Sequence, residues 1–512
     1  MGRRNMGRPK IFQERTVPAD SRLAGWSALV HLLSIKAPVR HPCAVSEQHI
    51  SGSRREDRGW AIFDKRYWPG EDFGSQLEFA LRFENVDPLI LKRVFETAPR
   101  DAVEKFIRSA PTGTTTRRAW FWYEFLTGRT LDIPELTPMA AIDLLDENGY
   151  FTGARRLSRR HKVRNNLLGT SQFCPVVRRT KLLTEMTARQ LGAKANEIIG
   201  QTGANVVARA ASFLLLADSR ASFAIEGERP PRGRLERWAR AVLQAGNTPL
   251  TLEEILRLHS VLIEDRRFVG QGLRPEGVFL GQRDDQGDPL PEFIGARAKD
   301  LDGLMAGMIE ANNRMKEDGI DPIIQAAVAA FGFVYIHPFQ DGNGRLHRCL
   351  IHHVLAERRF TPPGMVFPVS SVMLARIDAY RDTLRAHSGP LMSCIEWHPT
   401  PERNVKVENE TGDLYRYFDC TDNAEFLYGC VAQTIDHDLL QEIDYLKRRD
   451  EAMQRMMETV EMPDRLAENL LTYIRKNNGA LGKKRRENEF SALTDTEVAA
   501  LEAIVREVFE EE

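Results

Sequence analysis

The run DPIIQAAVAAFGFVYI, Asp321 to Ile336, and the residues just after it decide more about this fold than any other stretch. Asp321 before Pro322 places an N-cap ahead of a proline at the first helical position, so an apolar helix starts there. A Gly-rich turn follows from His337, and RLHRCLIHHVLAERR then forms a second helix. The turn therefore feeds a helix N-terminus, where free backbone N–H groups and the positive end of the helix dipole make an anion site. Gly342 and Gly344 permit positive φ and close approach of a ligand to the backbone. Arg345 and Arg348, three residues apart, share a helix face and can grip phosphate oxygens. Asp341 is a poor neighbour for phosphate alone and a good one for phosphate with Mg²⁺. His337, just before the turn, suits a general base near neutral pH. Together these residues describe phosphate-transfer chemistry. His347, His352 and His353 on the second helix admit a metal cluster, although helix faces commonly carry such histidines.

The stretch His337-Pro-Phe-Gln-Asp-Gly-Asn-Gly-Arg-Leu-His-Arg348 resembles the Fic-family signature HxFx(D/E)GNGRxxR at every specified position. The likeness covers roughly residues 190–400. It implies a mainly α fold, a Fic-type helical core with a β-hairpin flap, and an enzyme that moves AMP from ATP to Ser, Thr or Tyr hydroxyls of target proteins. By that resemblance His337 takes the proton from the target hydroxyl, which attacks the α-phosphate. Asp341 holds Mg²⁺ between the α- and β-phosphates. Backbone amides of Gly342 to Gly344, with the catalytic Asn343 side chain, form the anion hole. Arg345 and Arg348 hold the β- and γ-phosphates, and Phe339 anchors the loop. ATP and Mg²⁺ are the cofactors implied. VFLGQRDDQGDPLPEF, residues 278–293, reads as two short apolar pieces around an acidic turn, hence a hairpin. It looks like the family's flap, which pairs with target backbone as an added strand.

Ser222-Phe-Ala-Ile-Glu226-Gly227 closes a helix, with Gly227 a natural C′ residue and Pro230-Pro231 forbidding continuation. This resembles the inhibitory motif (S/T)xxxE(G/N) of Fic proteins. The resemblance implies that Glu226 pairs with Arg348 and misaligns ATP. For some relatives the same Glu is credited with orienting water to remove AMP, so a bifunctional enzyme stays open. So do another nucleotide donor, transfer of phosphate or phosphocholine, and a nucleotide-sensing regulator whose C-terminal unit binds DNA or protein. An intact His337 argues against a pure sensor.

With 71 Lys and Arg against 72 Asp and Glu, nothing draws the whole chain toward nucleic acid or anionic membranes. The six cysteines lie far apart without a CxxC pair, which suits reduced thiols. No apolar h-region follows the basic N-terminus and no stretch approaches a membrane span, so a soluble, cytoplasmic protein is expected. Residues 1–181 read as a mixed unit, irregular over about the first 57. Residues 182–249 form a helical segment holding the Ser222–Glu226 motif, and 250–400 the catalytic domain. The polar stretch 401–413 reads as a linker, and 414–512 as a small helical unit that resembles the helical or winged-helix-like extensions of Fic proteins. The basic segment 155–181 reads as solvated surface. For the C-terminal unit, DNA contact is open, and target recruitment or dimerisation carries more weight. Self-modification and a homodimer are further expectations.

Overall fold

A computed structural model describes residues 9–263, 267 and 269–509. The fold is mainly α. At its centre stands the helix Pro322–Ile336, with Ile323 to Ile336 all buried. A helix apolar on every face is stable only inside a ring of other elements. Here that ring comprises the helices Leu301–Glu317, Asn343–Glu357 and Thr421–Gln433. Its start is capped as the sequence predicts: the Asp321 carboxylate accepts from the N–H groups of Ile323 (2.9 Å) and Ile324 (3.1 Å). Gly332 lets the Phe173 ring reach the helix backbone, since a Cβ there would lie 2.4 Å from it.

The first residues differ from the irregular segment that their prolines and charges suggest. Strands Ser21–Leu23, Cys43–Ser46, Trp60–Phe63 and Arg54–Asp57 form one sheet in that order, with Cys43–Ser46 parallel to Trp60–Phe63. Strands of three or four residues leave no alternation to read, and Cys43–Ser46 and Trp60–Phe63 are buried along their whole length. Helices Phe73–Phe83 and Pro88–Thr97 flank the expected break, and Thr114–Thr127 ends at Gly128 in the left-handed region. These elements are not separate from the central helix. A single hydrophobic cluster runs from Phe12 through Trp26, Phe95 and Trp120 to Phe331, Phe339 and Leu446.

Two polar stretches also fold more tightly than their composition predicts. In the basic segment, Arg155 and Arg164 pair with Asp143, Arg156 with Asp318, Arg160 with Glu124 and Arg178 with Asp419. The stretch 401–413 contains the strand Val405–Val407, paired with Trp397–Pro399, and opens the buried helix Gly412–Arg416. Val405 and Thr411 turn inward, and Asp413 bonds Arg93 at 2.7 Å. A few inward residues suffice to dock a chain that looks solvated throughout.

The helix Leu439–Thr459 spans two cores. Leu439, Ile443 and Leu446 belong to the large cluster, while Ala452 and Met456 join Leu470, Leu471, Ile474, Leu501 and Val505 in a small one. No strand lies among the described residues after Val407, and the described part of the C-terminal unit is helical. No described helix is long and apolar enough to cross a membrane.

Candidate active site

The central helix ends on His337, which adopts φ 56° and ψ 59°. The left-handed region costs a non-glycine residue roughly 1–2 kcal/mol, so surrounding bonds must hold it. Arg274 supplies them. Its Nε donates to the His337 carbonyl at 2.7 Å, its backbone N–H donates to the Pro338 carbonyl at 3.0 Å, and its other guanidinium nitrogens donate to the carbonyls of Glu276 and Ala296. Burial lowers the Arg274 pKa to about 10, still far above neutrality.

Nδ1 of His337 donates to the Val334 carbonyl at 3.1 Å, which selects the tautomer whose Nε2 carries the lone pair. The ring is buried and meets the edge of Phe293, with centroids 5.7 Å apart. Burial pulls its pKa down to about 4, opposed by the Val334 carbonyl and reinforced by the Arg274 charge. His337 is thus a neutral base at pH 7, fixed at one nitrogen and free at the other.

The turn after it is shaped from inside. Phe339 is fully buried and stacks on His259, with centroids 4.0 Å apart and ring planes 9° from parallel. His259 Nε2 donates to the Asp341 carbonyl at 3.2 Å. Asn343 accepts from the Phe339 N–H at 3.0 Å and donates to the Phe339 carbonyl at 2.8 Å. The sequence reading puts the Asn343 amide in the anion hole. The structure buries it and uses both ends to close the loop on itself. Gly342, at φ 87°, starts the helix Asn343–Glu357, and a Cβ there would lie 2.7 Å from Leu262. The anion-binding capacity of the turn thus rests on backbone N–H groups and on two arginines.

Both arginines are 1% exposed and both are occupied. Arg348 donates from Nε to the Ser222 hydroxyl (2.9 Å) and from Nη2 to the Ser222 carbonyl (2.7 Å) and Glu226 Oε1 (2.8 Å). Arg345 pairs with Glu228 Oε1 at 2.7 Å and with Asp341 at 3.1 Å. Glu226 reaches the turn itself: a Cβ on Gly344 would lie 2.1 Å from its Oε1. A carboxylate therefore covers the helix N-terminus where an anion would bind. It is delivered by the helix Ala204–Ile225, which ends in a Schellman motif: the Glu228 N–H bonds the Phe223 carbonyl at 3.0 Å and the Gly227 N–H bonds the Ala224 carbonyl at 2.9 Å.

Asp341 is the half-exposed carboxylate of the turn. No group of three or more His, Cys, Asp or Glu able to hold a metal occurs among the described residues. A lone hard oxygen donor beside a phosphate site nevertheless fits Mg²⁺, which commonly takes one or two carboxylates plus substrate oxygens. The helix histidines do not converge. His347 Nδ1 bonds the Ala330 carbonyl (2.8 Å), His352 Nε2 bonds Asp218 (2.9 Å), and His353 Nδ1 accepts from the Gly246 N–H (3.3 Å).

Beside His337 stands the hairpin Phe279–Arg283 with Pro289–Ile294, bulged at Leu280/Gly281. Its base is tied to the His337 end of the central helix, because the Ala296 N–H bonds the Ile336 carbonyl at 3.1 Å. It forms a two-stranded sheet with Leu280 and Leu290 exposed, which leaves strand edge free to receive another backbone. The structure thus brings together His337, Asp341, Gly342, Asn343, Gly344, Arg345, Arg348, Ser222 and Glu226, all singled out in the sequence. It adds Arg274, His259, Phe223 and Glu228, for which the sequence carries no local signal.

Residues 249–355 match the model of the Fic/DOC family. Among curated relatives, the protein adenylyltransferase fic-1 of Caenorhabditis elegans is 26% identical over 159 residues, 31% of this chain and 28% of that protein. The protein adenylyltransferase Fic of Drosophila mojavensis is 33% identical over 114 residues, 22% of this chain and 21% of that protein. The matches thus span about a quarter of those relatives' lengths. Among solved structures, a Fic family protein from Desulfovibrio desulfuricans G20 is 19% identical, at a TM-score of 0.37, covering 54% of this chain and 80% of that one.

Proposed function

We propose, from the Fic/DOC domain that residues 249–355 form, that this chain is a protein adenylyltransferase restrained by Glu226. The observation that carries the reading is the pairing of a fixed neutral base with an anion site. His337 presents a free Nε2 at the entrance to a helix N-terminus lined by two buried arginines. The printed names of the relatives support the same activity.

A target segment pairs with an edge of the hairpin and brings a Ser, Thr or Tyr hydroxyl to His337. Nε2 takes the hydroxyl proton as the oxygen attacks the α-phosphorus of ATP. The bond from that phosphorus to the α,β-bridging oxygen breaks, pyrophosphate leaves with its electron pair, and AMP remains as an ester on the target. The imidazolium then returns its proton to pyrophosphate or water. N–H groups of Gly342 to Gly344 and the helix dipole face the charge that builds on the phosphate oxygens. Arg345 and Arg348 hold the outer phosphates once their carboxylates withdraw. Asp341 would hold Mg²⁺, which when bound neutralises phosphate charge.

While Glu226 bonds Arg348 at 2.8 Å and lies over Gly344, that seat is filled. The test compares wild type, Glu226→Gly, and Glu226→Gly with His337→Ala, each with Mg²⁺ and ATP labelled at the α- or γ-phosphate. Label from the α-position alone, appearing on protein in Glu226→Gly and lost without His337, supports AMP transfer, the restraint and the base together. Label from the γ-position alone would mean phosphate transfer, and none from either would overturn the reading.

A further inference from the structure

The reading above gives the donor nucleotide two arginines, and a third stands beside them. We propose that Arg234 is a further ligand for the outer phosphates, withheld by Glu228 as Arg348 is withheld by Glu226; this inference rests on the adenylyltransferase reading. Arg234 lies in the first turn of the helix Arg232–Leu243, just after Pro231 ends the turn that carries Glu226 and Glu228. Its Nη1 pairs with Glu228 Oε2 at 3.0 Å, while the other oxygen of the same carboxylate pairs with Arg345 at 2.7 Å. One carboxylate therefore bridges two guanidinium groups. Both of these also lie over the buried Phe223 ring, at 5.1 Å for Arg234 and 5.3 Å for Arg345. The Arg234 Nε is buried without a hydrogen-bond partner among the described residues, so the fork has donor capacity that Glu228 leaves unfilled.

The chemistry follows from counting charges at one place. Arg234, Arg345 and Arg348 converge, neutralised by Glu226 and Glu228, with Asp341 also on Arg345. Glu226 and Glu228 sit two residues apart on either side of Gly227, which holds φ 74°. A displacement of that single turn takes both glutamates from the three cations together, leaving Asp341 on Arg345 and Ser222 on Arg348. Phe223, shared by Arg234 and Arg345, stays in the core and keeps their stems in place. What three planar forks then recognise is a chain of phosphates, because each fork can take two oxygens and a monophosphate cannot engage them all. Arg234 therefore selects a nucleoside triphosphate over the monophosphate, and Glu228 opposes its entry from the same turn as Glu226.

The experiment measures binding of ATP, ADP and AMP with Mg²⁺ by calorimetry. It uses Glu226→Gly alone, the same protein with Arg234→Ala or Arg234→Lys, and Glu228→Gln in the otherwise wild-type chain. Loss of a charge-assisted fork predicts that Arg234→Ala weakens ATP roughly tenfold or more, ADP less, and AMP not at all. Arg234→Lys keeps the charge without the fork and recovers part of the loss. Glu228→Gln tightens ATP severalfold relative to wild type. ATP binding unchanged by Arg234→Ala, or ATP and AMP weakened equally, would overturn the inference, the second outcome marking a merely structural role. Transfer of α-label by Glu226→Gly, read in parallel, separates the two readings. Transfer with Arg234 variants binding normally sinks the Arg234 role alone, whereas no ATP binding by Glu226→Gly sinks both.

Discussion

Arg155, Arg156, Arg160, Arg164 and Arg178 lie in one basic stretch of the chain, whereas Arg345 and Arg348 stand near the start of the helix Asn343–Glu357; every one of them faces a carboxylate. The pairs differ in which partner can leave. In the basic stretch the arginine side chains are 23% to 46% exposed, and carboxylates such as Asp318 and Glu124 are the more buried partners. In the helix Asn343–Glu357 the arginines are 1% exposed, while their partners Glu226 and Glu228 are 36% and 33% exposed on the turn after the helix Ala204–Ile225. A charge pair between fixed elements fastens a fold. On the proposed reading, a buried cation whose counter-ion withdraws into water becomes a binding site, and until then the carboxylate fills it.

The largest effect tests whether the loop is a reaction site. In the Glu226→Gly background, His337→Ala should lower α-label transfer by roughly 10²–10⁴-fold, the usual worth of a positioned base. Transfer that survives this change would move the chemistry elsewhere. Next comes the seated carboxylate itself. Glu226→Gly alone should raise transfer about 10–100-fold, the range set by one charge-assisted hydrogen bond of about 1.5–3 kcal/mol. An unchanged rate would place Glu226 among the fastening pairs and erase the contrast.

Asp218 separates holding the helix from holding the arginine. It is buried and takes both His352 Nε2 (2.9 Å) and the Ser370 N–H (2.7 Å), so Asp218→Ala should cost about 1–3 kcal/mol in urea unfolding. It touches neither arginine, so the nucleotide preference of the freed enzyme should not move with it. At the other side of the comparison, Arg164→Ala removes a pair with Asp143 at 2.6 Å that is partly open to water. Unfolding should shift by no more than about 1 kcal/mol and transfer by nothing measurable. A large loss of transfer there would show that the basic stretch does more than fasten.

The loop was readable in the sequence because its chemistry is local: a helix cap at Asp321, glycines at 342 and 344, and arginines one turn apart fall within 28 residues. Helix-ending signals put Glu226 at a defined place, and in the sequence its pairing with Arg348 follows only from the resemblance to the Fic inhibitory motif. Glu228 was not readable, since nothing in Gly227-Glu228-Arg229 distinguishes it from solvated charge until the Schellman turn points it at Arg345. The family resemblance puts the Asn343 amide in the anion hole, whereas its hydrogen bonds in the fold go to the Phe339 backbone. Arg274 carries no signal at all, because its partners are three carbonyls brought together by folding. The early sheet is illegible for another reason: none of its strands exceeds four residues, and two are buried along their whole length, so no period shows.

The smallest predicted effect is also the one that divides control from chemistry. His337 titrates near 4 in the folded chain, against about 6.5 for an exposed imidazole. Its folded value is depressed, so the unfolded chain binds the extra proton first. His337 therefore contributes stability that is present above about pH 6.5 and lost as pH falls toward 4. For activity the same shift means that the base stays unprotonated across the neutral range. The kcat/KM of Glu226→Gly should then stay level from pH 8 down to about pH 5, with no step at the ordinary histidine value. An NMR titration of the His337 ring checks the assignment directly. A step near 6.5 in both measurements would mean that proton supply to His337 regulates this site. A level profile leaves regulation to the arginines, since a base held by Val334 and Arg274 has no counter-ion to release, whereas the arginines have Glu226 and Glu228.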